Sequence, residues 1–197
     1  MLKILVIDRC HFTRTGIEAW LNHSERFINT SFLVSGLNNL LLVKEHIQQW
    51  KPHLVIADLY GFLNDTLSAQ SIAPFLLACG SSPLILLESG GVMVETQCYP
   101  VCASLTKQVS LAELAENINN ALLTGSVSEA PGNASTLLTP QEEKVLTMWM
   151  EGASNNAIAC ALSIHGKTVY TYKRNIRMKL HMDNRFSPFL APSELKN

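Results

Sequence analysis

The chain has 197 residues, 47% of them hydrophobic, with 15 Lys or Arg against 16 Asp or Glu and a formal net charge of −1. It has no run of eighteen uncharged apolar residues, and Asp8 follows the apolar start too early for a signal peptide. Composition therefore argues against a membrane or secreted protein, and we expect a cytoplasmic one.

The chain has an odd number of cysteines without the paired spacing of metal sites. They are Cys10, Cys79, Cys98, Cys102 and Cys160. We expect reduced, mostly buried thiols and no metal or cofactor.

Short apolar runs alternate with helical patterns along the first 124 residues. The runs cover residues 2–7, 32–35, 53–57, 84–87 and 101–105. Runs of this length are typical of buried parallel strands. Five strands alternating with about five helices predict a doubly wound α/β (flavodoxin-like) domain, whose sites lie at the carboxyl ends of the strands.

Three helical patterns between these runs predict core-facing stripes. They consist of Phe12, Gly16, Trp20 and Leu21, then Leu40, Val43, Ile47 and Trp50, and finally Leu111, Leu114, Ile118 and Leu122. Ser110 and Glu113 form a predicted capping box before the last helix, and Gly125 suits its exit.

Charged residues follow the predicted strands where a site is expected. They are Asp8 and Arg9 after the first strand, Asp58 after the third, Glu88 after the fourth and Lys107 after the fifth. This layout resembles the receiver domain of bacterial response regulators over residues 1–124. The resemblance implies that Asp8, Asp58 and Lys107 occupy positions of the Mg²⁺ and phosphoacceptor site.

Two positions depart from the receiver pattern. Arg9 stands where the family has a second acid, and Glu88 stands where it has Ser or Thr. Both changes oppose binding of Mg²⁺ and of a phosphoryl group, so the resemblance implies a degenerate receiver, or pseudo-receiver. Ion pairs between Arg9 and Asp58 and between Glu88 and Lys107 would satisfy these charges.

Charge divides the chain into unlike halves. Residues 1–130 hold seven Lys or Arg and eleven Asp or Glu, net −4, whereas residues 131–197 hold eight and five, net +3. Between the halves, the Gly-, Ser- and Pro-containing stretch at 124–136 has no apolar periodicity. We predict domains at 1–124 and 137–197 joined by a linker at 125–136.

The second half opens with strong helix signals. Thr139 is suited to be the N-cap, and Pro140 is suited to the first helical position. Glu142 is placed to complete a capping box by accepting a hydrogen bond from the backbone of Thr139. Gly152 is placed to end this helix, and Ser154 can cap a short second one.

The segment "KTVYTYKRNIRMKL" at 167–180 then carries five basic residues and no acid. Val169, Ile176 and Leu180 fall on one arc of a helix, which predicts a buried side and a cationic outer side suited to a DNA major groove. Lys173, Arg177 and Lys179 are expected on the flanks, where their stems would reach phosphates. The candidate DNA-binding residues are Lys167, Thr168, Tyr170, Thr171, Lys173, Arg174, Arg177 and Lys179.

Residues 137–180 are similar to the LuxR-type helix-turn-helix of the NarL/FixJ response regulators. The similarity lies in "LTPQEEKVL", "GASNNAIACAL" and "KTVYTYKRNIRMKL". It implies an all-α domain of a transcription regulator that binds double-stranded DNA. His165 replaces a usual Ser, Tyr172 replaces a common His, and Pro188 and Pro192 oppose the fourth helix that commonly supplies the dimer contact.

The degenerate receiver, the retained recognition helix and "LTMWMEG" resemble the auxiliary regulators of the RcsA and BglJ type. The resemblance implies a heterodimer with an RcsB-like response regulator. It also implies that the heterodimer would control promoters in the nucleoid without phosphorylation of Asp58.

Three alternatives stay open at this point. The nearest is a phosphorylation-switched response regulator that acts as a homodimer. A LuxR-type sensor of a small molecule is another. An enzyme is disfavoured because the sequence has no GxGxxG, no phosphate-binding GxxxxGK[ST] and no Ser, His and Asp arrangement, so we expect neither catalysis nor a small-molecule substrate.

Overall fold

The computed structural model describes residues 1–27, 30–64, 70–89, 99, 101–124 and 137–180. The chain divides into two compact units, Met1–Ser135 and Thr136–Asn197. The expectations for Cys98, Gly125, the linker, Pro188 and Pro192 lie outside the described residues.

A parallel sheet of five strands forms the first unit. Its strands are β1 (Leu2–Ile7), β2 (Phe32–Leu37), β3 (Leu54–Ala57), β4 (Leu84–Glu88) and β5 (Val101–Thr106). They lie side by side in the order β2-β1-β3-β4-β5, and every neighbouring pair is parallel. The predicted doubly wound α/β fold is confirmed, and all five carboxyl ends meet at one edge.

Helices pack on this sheet, and most side chains of β1, β2, β3 and β4 are buried. They are α1 (His11–His23), α2 (Val43–Trp50), α3 (Ile72–Ala78) and α4 (Leu111–Thr124), with short 3₁₀ turns at Glu25–Phe27, Tyr60–Phe62 and Cys79–Ser81. The four residues of β3 are fully buried, as expected for a central strand. The stripe of Leu40, Val43, Ile47 and Trp50 is buried as predicted.

The buried face of α1 differs from the predicted one. Ile17 and Leu21 face the core, whereas Phe12 is 83% exposed and Gly16 is exposed. Helix α1 starts only four residues after β1 ends, so its first turn lies near the carboxyl edge of the sheet. Leu111, in the first turn of α4, is also exposed, at 56%, although the sequence pattern placed it on the core-facing stripe.

The described part of the second unit, residues 137–180, contains three helices: α5 (Pro140–Met150), α6 (Asn155–Leu162) and α7 (Gly166–Lys179). The shared core consists of Leu138, Val145, Leu146, Trp149, Ile158, Val169, Ile176 and Leu180. The predicted buried arc of the basic segment, made of Val169, Ile176 and Leu180, is therefore confirmed.

Local signals set the helix ends of this unit as predicted. Thr139 Oγ1 accepts a hydrogen bond from Glu142 N at 3.2 Å, and Glu142 Oε2 accepts one from Thr139 N at 2.7 Å, which completes the capping box. Gly152 has φ +82°, a conformation that glycine adopts without strain. Ser154 Oγ accepts from Ala157 N at 3.2 Å and caps α6.

The expectation of mostly buried thiols is wrong for the described cysteines. Cys79 is buried, and burial raises the pKa of its thiol to about 12. Cys10, Cys102 and Cys160 are exposed and free. Among the described residues, no helix is long and apolar enough to cross a membrane.

Candidate nucleic-acid interface and receiver site

Two buried aspartates share one lysine at the carboxyl edge of the sheet. Asp8 follows β1 and Asp58 follows β3, two neighbouring strands inside the sheet, and each side chain is 4% exposed. Lys107, just after β5, places its Nζ 2.7 Å from Asp8 Oδ2 and 2.6 Å from Asp58 Oδ2. The structure thus brings together the three residues that match the receiver pattern.

Further hydrogen bonds occupy the other carboxylate oxygens. Asp8 Oδ1 accepts from Cys10 N at 2.7 Å, and Asp58 Oδ1 accepts from Tyr60 N at 2.8 Å. Ser89 donates its hydroxyl to Asp58 Oδ2 at 2.7 Å. The sequence pattern missed Ser89, although a hydroxyl residue directly after the end of β4 was a usable signal.

The two ion pairs suggested by the sequence are wrong. Glu88 accepts a hydrogen bond from Ser104 on the neighbouring strand β5 and does not pair with Lys107. Arg9 lies with its guanidinium carbon 5.0 Å from the centre of the Phe62 ring and does not pair with Asp58. For Glu88 the physical reason is burial, because the two buried carboxylates gain more from the ammonium of Lys107 than the less buried Glu88 does.

Lys107 keeps its charge in this setting. Burial lowers the pKa of the ammonium, but hydrogen bonds and charges from Asp58 and Asp8 outweigh burial, so its pKa lies above the usual value. The residues do not fit a divalent cation, since an ammonium already occupies both carboxylates and Arg9 stands in place of a further acid. Within the described ranges, no three His, Cys, Asp or Glu side chains are grouped to hold a metal ion.

Helix α7 presents a mixed cationic and apolar face to solvent. The exposed residues of this face are Lys167, Tyr170, Thr171, Arg174 and Met178, and Thr168 beside them is half-buried. Tyr170 and Met178 are each 63% exposed. His165 occupies the N-cap of α7 without a side-chain cap bond, in keeping with the loss of the usual Ser.

The predicted position of Lys173 on a flank of α7 is wrong, because Lys173 lies in the core of the second unit. The residue is 4% exposed, and its Nζ lies 4.6 Å from the ring centre of Trp149 on α5. Arg177, one turn later and half-buried, has its guanidinium carbon 5.0 Å from the same ring. The helical spacing predicts this burial, because at 100° per residue Lys173 falls on the same side of the helix as the buried Val169 and Ile176.

Lys179 also turns toward the protein. Its Nζ lies 2.6 Å from Glu142 Oε2, the same oxygen that completes the capping box of α5. Burial raises the pKa of Glu142, but the hydrogen bonds from Lys179 and Thr139 outweigh burial, so the pKa lies below its usual value. One carboxylate therefore joins the start of α5 to the end of α7.

Replacing Glu142 by Gln is expected to lower the stability of the second unit at neutral pH and to remove its acid dependence. A carboxylate whose pKa is depressed by folding contributes stability above its unfolded value, near 4.5, and loses it as pH falls through the folded value. We expect a loss of about 1.5–3 kcal/mol at pH 7, typical of a hydrogen bond to a charged group. Urea unfolding between pH 3 and pH 7 measures both effects.

Glu143→Gln is the matched control, because Glu143 is exposed in the same helical turn. Equal effects of the two substitutions at pH 7 would contradict the role given to Glu142.

Comparison with known proteins identifies the family. Residues 136–187 match the model of the bacterial regulatory proteins of the luxR family. The transcriptional regulatory protein EntR of Citrobacter freundii is 65% identical over 97% of this chain and 97% of its own length. The chain belongs to the LuxR family of bacterial transcriptional regulators. Its predicted LuxR-type helix-turn-helix is confirmed.

More distant matches include a further transcriptional regulator and a solved receiver-like domain. The transcriptional regulatory protein RcsA of Klebsiella aerogenes is 23% identical over 93% of this chain and 89% of its own length. The crystal structure of the N-terminal domain of a response regulator/sensory box/GGDEF protein from Carboxydothermus hydrogenoformans has a TM-score of 0.50 and 18% identity. It covers 62% of this chain and 94% of that one, and shows the receiver-like fold. This LuxR-family chain is thus a DNA-binding regulator related to RcsA and to response regulators.

Proposed function

We propose that this regulator is a phosphorylation-independent auxiliary subunit of the RcsA and BglJ type. It pairs with an RcsB-like response regulator, and the heterodimer activates promoters by contacting an asymmetric DNA site. The contact of Lys107 with both Asp8 and Asp58 carries this proposal.

Receiver phosphorylation would need a free carboxylate oxygen and a cation to neutralise the incoming phosphoryl group. Both oxygens of Asp58 are already hydrogen-bonded, and the single lysine is shared with Asp8. Arg9 replaces the second acid, so attraction for Mg²⁺ is weak. We propose that these contacts at the carboxyl edge of the sheet hold the first unit in one conformation. The amount of the protein in the cell then sets how strongly it regulates its promoters.

DNA recognition is assigned to the outer face of α7. Arg174 suits the edge of a guanine, and Thr171 suits a thymine methyl group or a phosphate. Lys167 and Thr168 lie in the first turn, near the phosphates that flank the groove, and Tyr170 adds an exposed ring. Lys173, Arg177 and Lys179, which the sequence pattern had included, have contacts within the unit and are left out of this set.

One observation favours the alternative of a phosphorylation-switched homodimer. Ser89 donates its hydroxyl to Asp58 Oδ2, so a hydroxyl group already lies beside the position of a phosphoacceptor. An experiment must therefore distinguish an auxiliary subunit of a heterodimer from a phosphorylation-switched homodimer.

The test measures sedimentation and DNA footprints of the full chain, alone and mixed with an RcsB-like regulator. We expect a heterodimer that protects an asymmetric site, and no change when acetyl phosphate and Mg²⁺ are added or when Asp58 is replaced by Asn. Stoichiometric Mg²⁺-dependent labelling of Asp58, with a symmetric footprint for the chain alone, would establish the homodimer instead.

A further inference from the structure

Four exposed side chains form a line along α7, on the side opposite its buried arc. They are Lys167, Thr171, Arg174 and Met178. At 100° per residue these four positions fall within an arc of about 60°. Lys167 and Arg174 are cationic, so Thr171 and Met178 decide what else this line can contact.

The hydroxyl proton of Thr171 is already used within the helix. Thr171 Oγ1 donates a hydrogen bond to the carbonyl oxygen of Lys167 at 3.1 Å, one turn earlier in α7. A hydroxyl has one proton, and phosphate oxygens only accept hydrogen bonds, so Thr171 in this conformation cannot donate to a phosphate. Its methyl group remains as an apolar contact group on an exposed position.

Met178 makes the outer side of the last turn of α7 apolar. Its side chain is 63% exposed. Its neighbour Arg177 is half-buried against the ring of Trp149. Lys179, on its other side, pairs with Glu142. A thioether donates no hydrogen bond to a phosphate or a base, but it is flexible and polarisable and adapts to an apolar group of a ligand.

We propose that Thr171 and Met178 recognise the 5-methyl groups of two thymines, which lie on either side of the base contacted by Arg174. The inference rests on the proposed use of α7 to contact DNA. In the major groove, the 5-methyl group of thymine is the apolar feature among the hydrogen-bonding groups that distinguish the base pairs. Two exposed apolar groups on a line that faces this groove therefore match thymine.

The spacing of the two residues sets the spacing of the two thymines. Thr171 and Met178 are seven residues apart, which corresponds to about 10.5 Å along a helix. Successive base pairs lie about 3.4 Å apart along the duplex, so this distance covers about three base-pair steps. We therefore expect two thymines about three base pairs apart, on either strand, with a guanine contacted by Arg174 between them.

The experiment replaces each thymine of the footprinted duplex by uracil in turn, which removes only the 5-methyl group. Affinity is measured by fluorescence anisotropy for the full chain, both alone and mixed with the RcsB-like partner. We expect a loss of about fourfold at each of two thymines with this spacing, the effect of one buried methyl group. The duplexes are synthetic and carry no 5-methylcytosine, so thymine is their only source of the methyl group.

Substitutions assign each methyl contact to a residue. Thr171→Ser keeps the hydroxyl but loses the methyl group, so it should weaken binding about fourfold and abolish the uracil effect at one thymine. Thr171→Val keeps the methyl group but loses the hydroxyl, and it should bind like the wild type. Met178→Ala should abolish the uracil effect at the second thymine, whereas Met178→Leu should keep it.

Circular dichroism checks that each variant folds, and both substituted positions are exposed and outside the core. If a variant does not fold, the uracil series with the wild-type chain decides alone.

Three results would overturn the inference. The first is equal affinity of the wild type for every thymine and uracil duplex. The second is a loss for Thr171→Val that Thr171→Ser does not show, because the hydroxyl would then be the contacting group. The third is a pair of uracil effects that persist in Thr171→Ser and Met178→Ala, because those thymines would then be contacted by other residues.

The same assays separate this inference from the proposed function. If neither the mixture nor the chain alone protects a DNA site, the proposed function fails and the inference fails with it. If a site is bound without the expected uracil effects, the inference alone fails.

Discussion

Replacing Lys107 by Met is expected to lower the free energy of unfolding of the first unit by about 3 kcal/mol. Removing one partner of a buried ion pair costs about 3–5 kcal/mol, and we take the lower end because the Lys107 side chain is 29% exposed. The substitution leaves Asp8 and Asp58, each 4% exposed at the side chain, as neighbouring carboxylates without their shared cation. Urea unfolding of the full chain, with hydrogen exchange in β1 and β3 to identify the unit, measures the loss.

A second substitution at this site should restore part of the lost stability, and a substitution of an exposed lysine serves as the control. Adding Asp58→Asn to Lys107→Met removes one of the two like charges and should recover part of the stability. Lys44→Met changes an exposed lysine on α2 and should shift stability by no more than about 0.5 kcal/mol. A stability loss in the double variant as large as the sum of the two single losses would argue against carboxylate repulsion as the cause.

The ion pairs of Lys107 also make the stability of the first unit in the wild type depend on alkaline pH. Folding raises the pKa of this ammonium, so its stabilising contribution is complete below the unfolded value near 10.5 and is lost as pH rises through the folded value. Lys107→Met should remove this part of the alkaline loss of stability. The same urea experiments at pH 8 and above check it.

Replacing Arg174 by Ala is expected to weaken binding to the footprinted site by about 1–3 kcal/mol, or roughly 5- to 150-fold, with a much smaller loss on random DNA. Arg174 is exposed on α7 in the row that contains Tyr170 and Met178, so its guanidinium is free of the core contacts that hold Lys173. Fluorescence anisotropy on both duplexes at one fixed salt concentration measures the difference.

Lys144→Ala is the matched control for this charge loss. Lys144 is exposed on α5 in the same unit, and its removal should change both affinities little. If Arg174→Ala weakened both duplexes equally, Arg174 would be a phosphate contact and not a reader of a base.

Local features of this chain were predictable because their causes are local. The apolar runs of 2–7 and 84–87 became β1 and β4, and the Thr139 capping box, Gly152 and Ser154 set helix ends as expected. Each depends on a few neighbouring residues. The pattern failed at Phe12, because burial there depends on where the helix begins relative to the edge of the sheet.

The cations show what the sequence alone determined and what only the tertiary structure decided. The sequence determined that a basic helix with an apolar back ends the LuxR-type motif, since helical period and charge are written along the chain. The sequence did not determine which of these cationic side chains are exposed and able to contact DNA. Lys179 meets Glu142 across 37 positions and Lys107 meets Asp8 across 99, while Trp149 on another helix receives Lys173 and Arg177. Such pairs form only when folding brings distant groups together and excludes water, so the tertiary structure decided them.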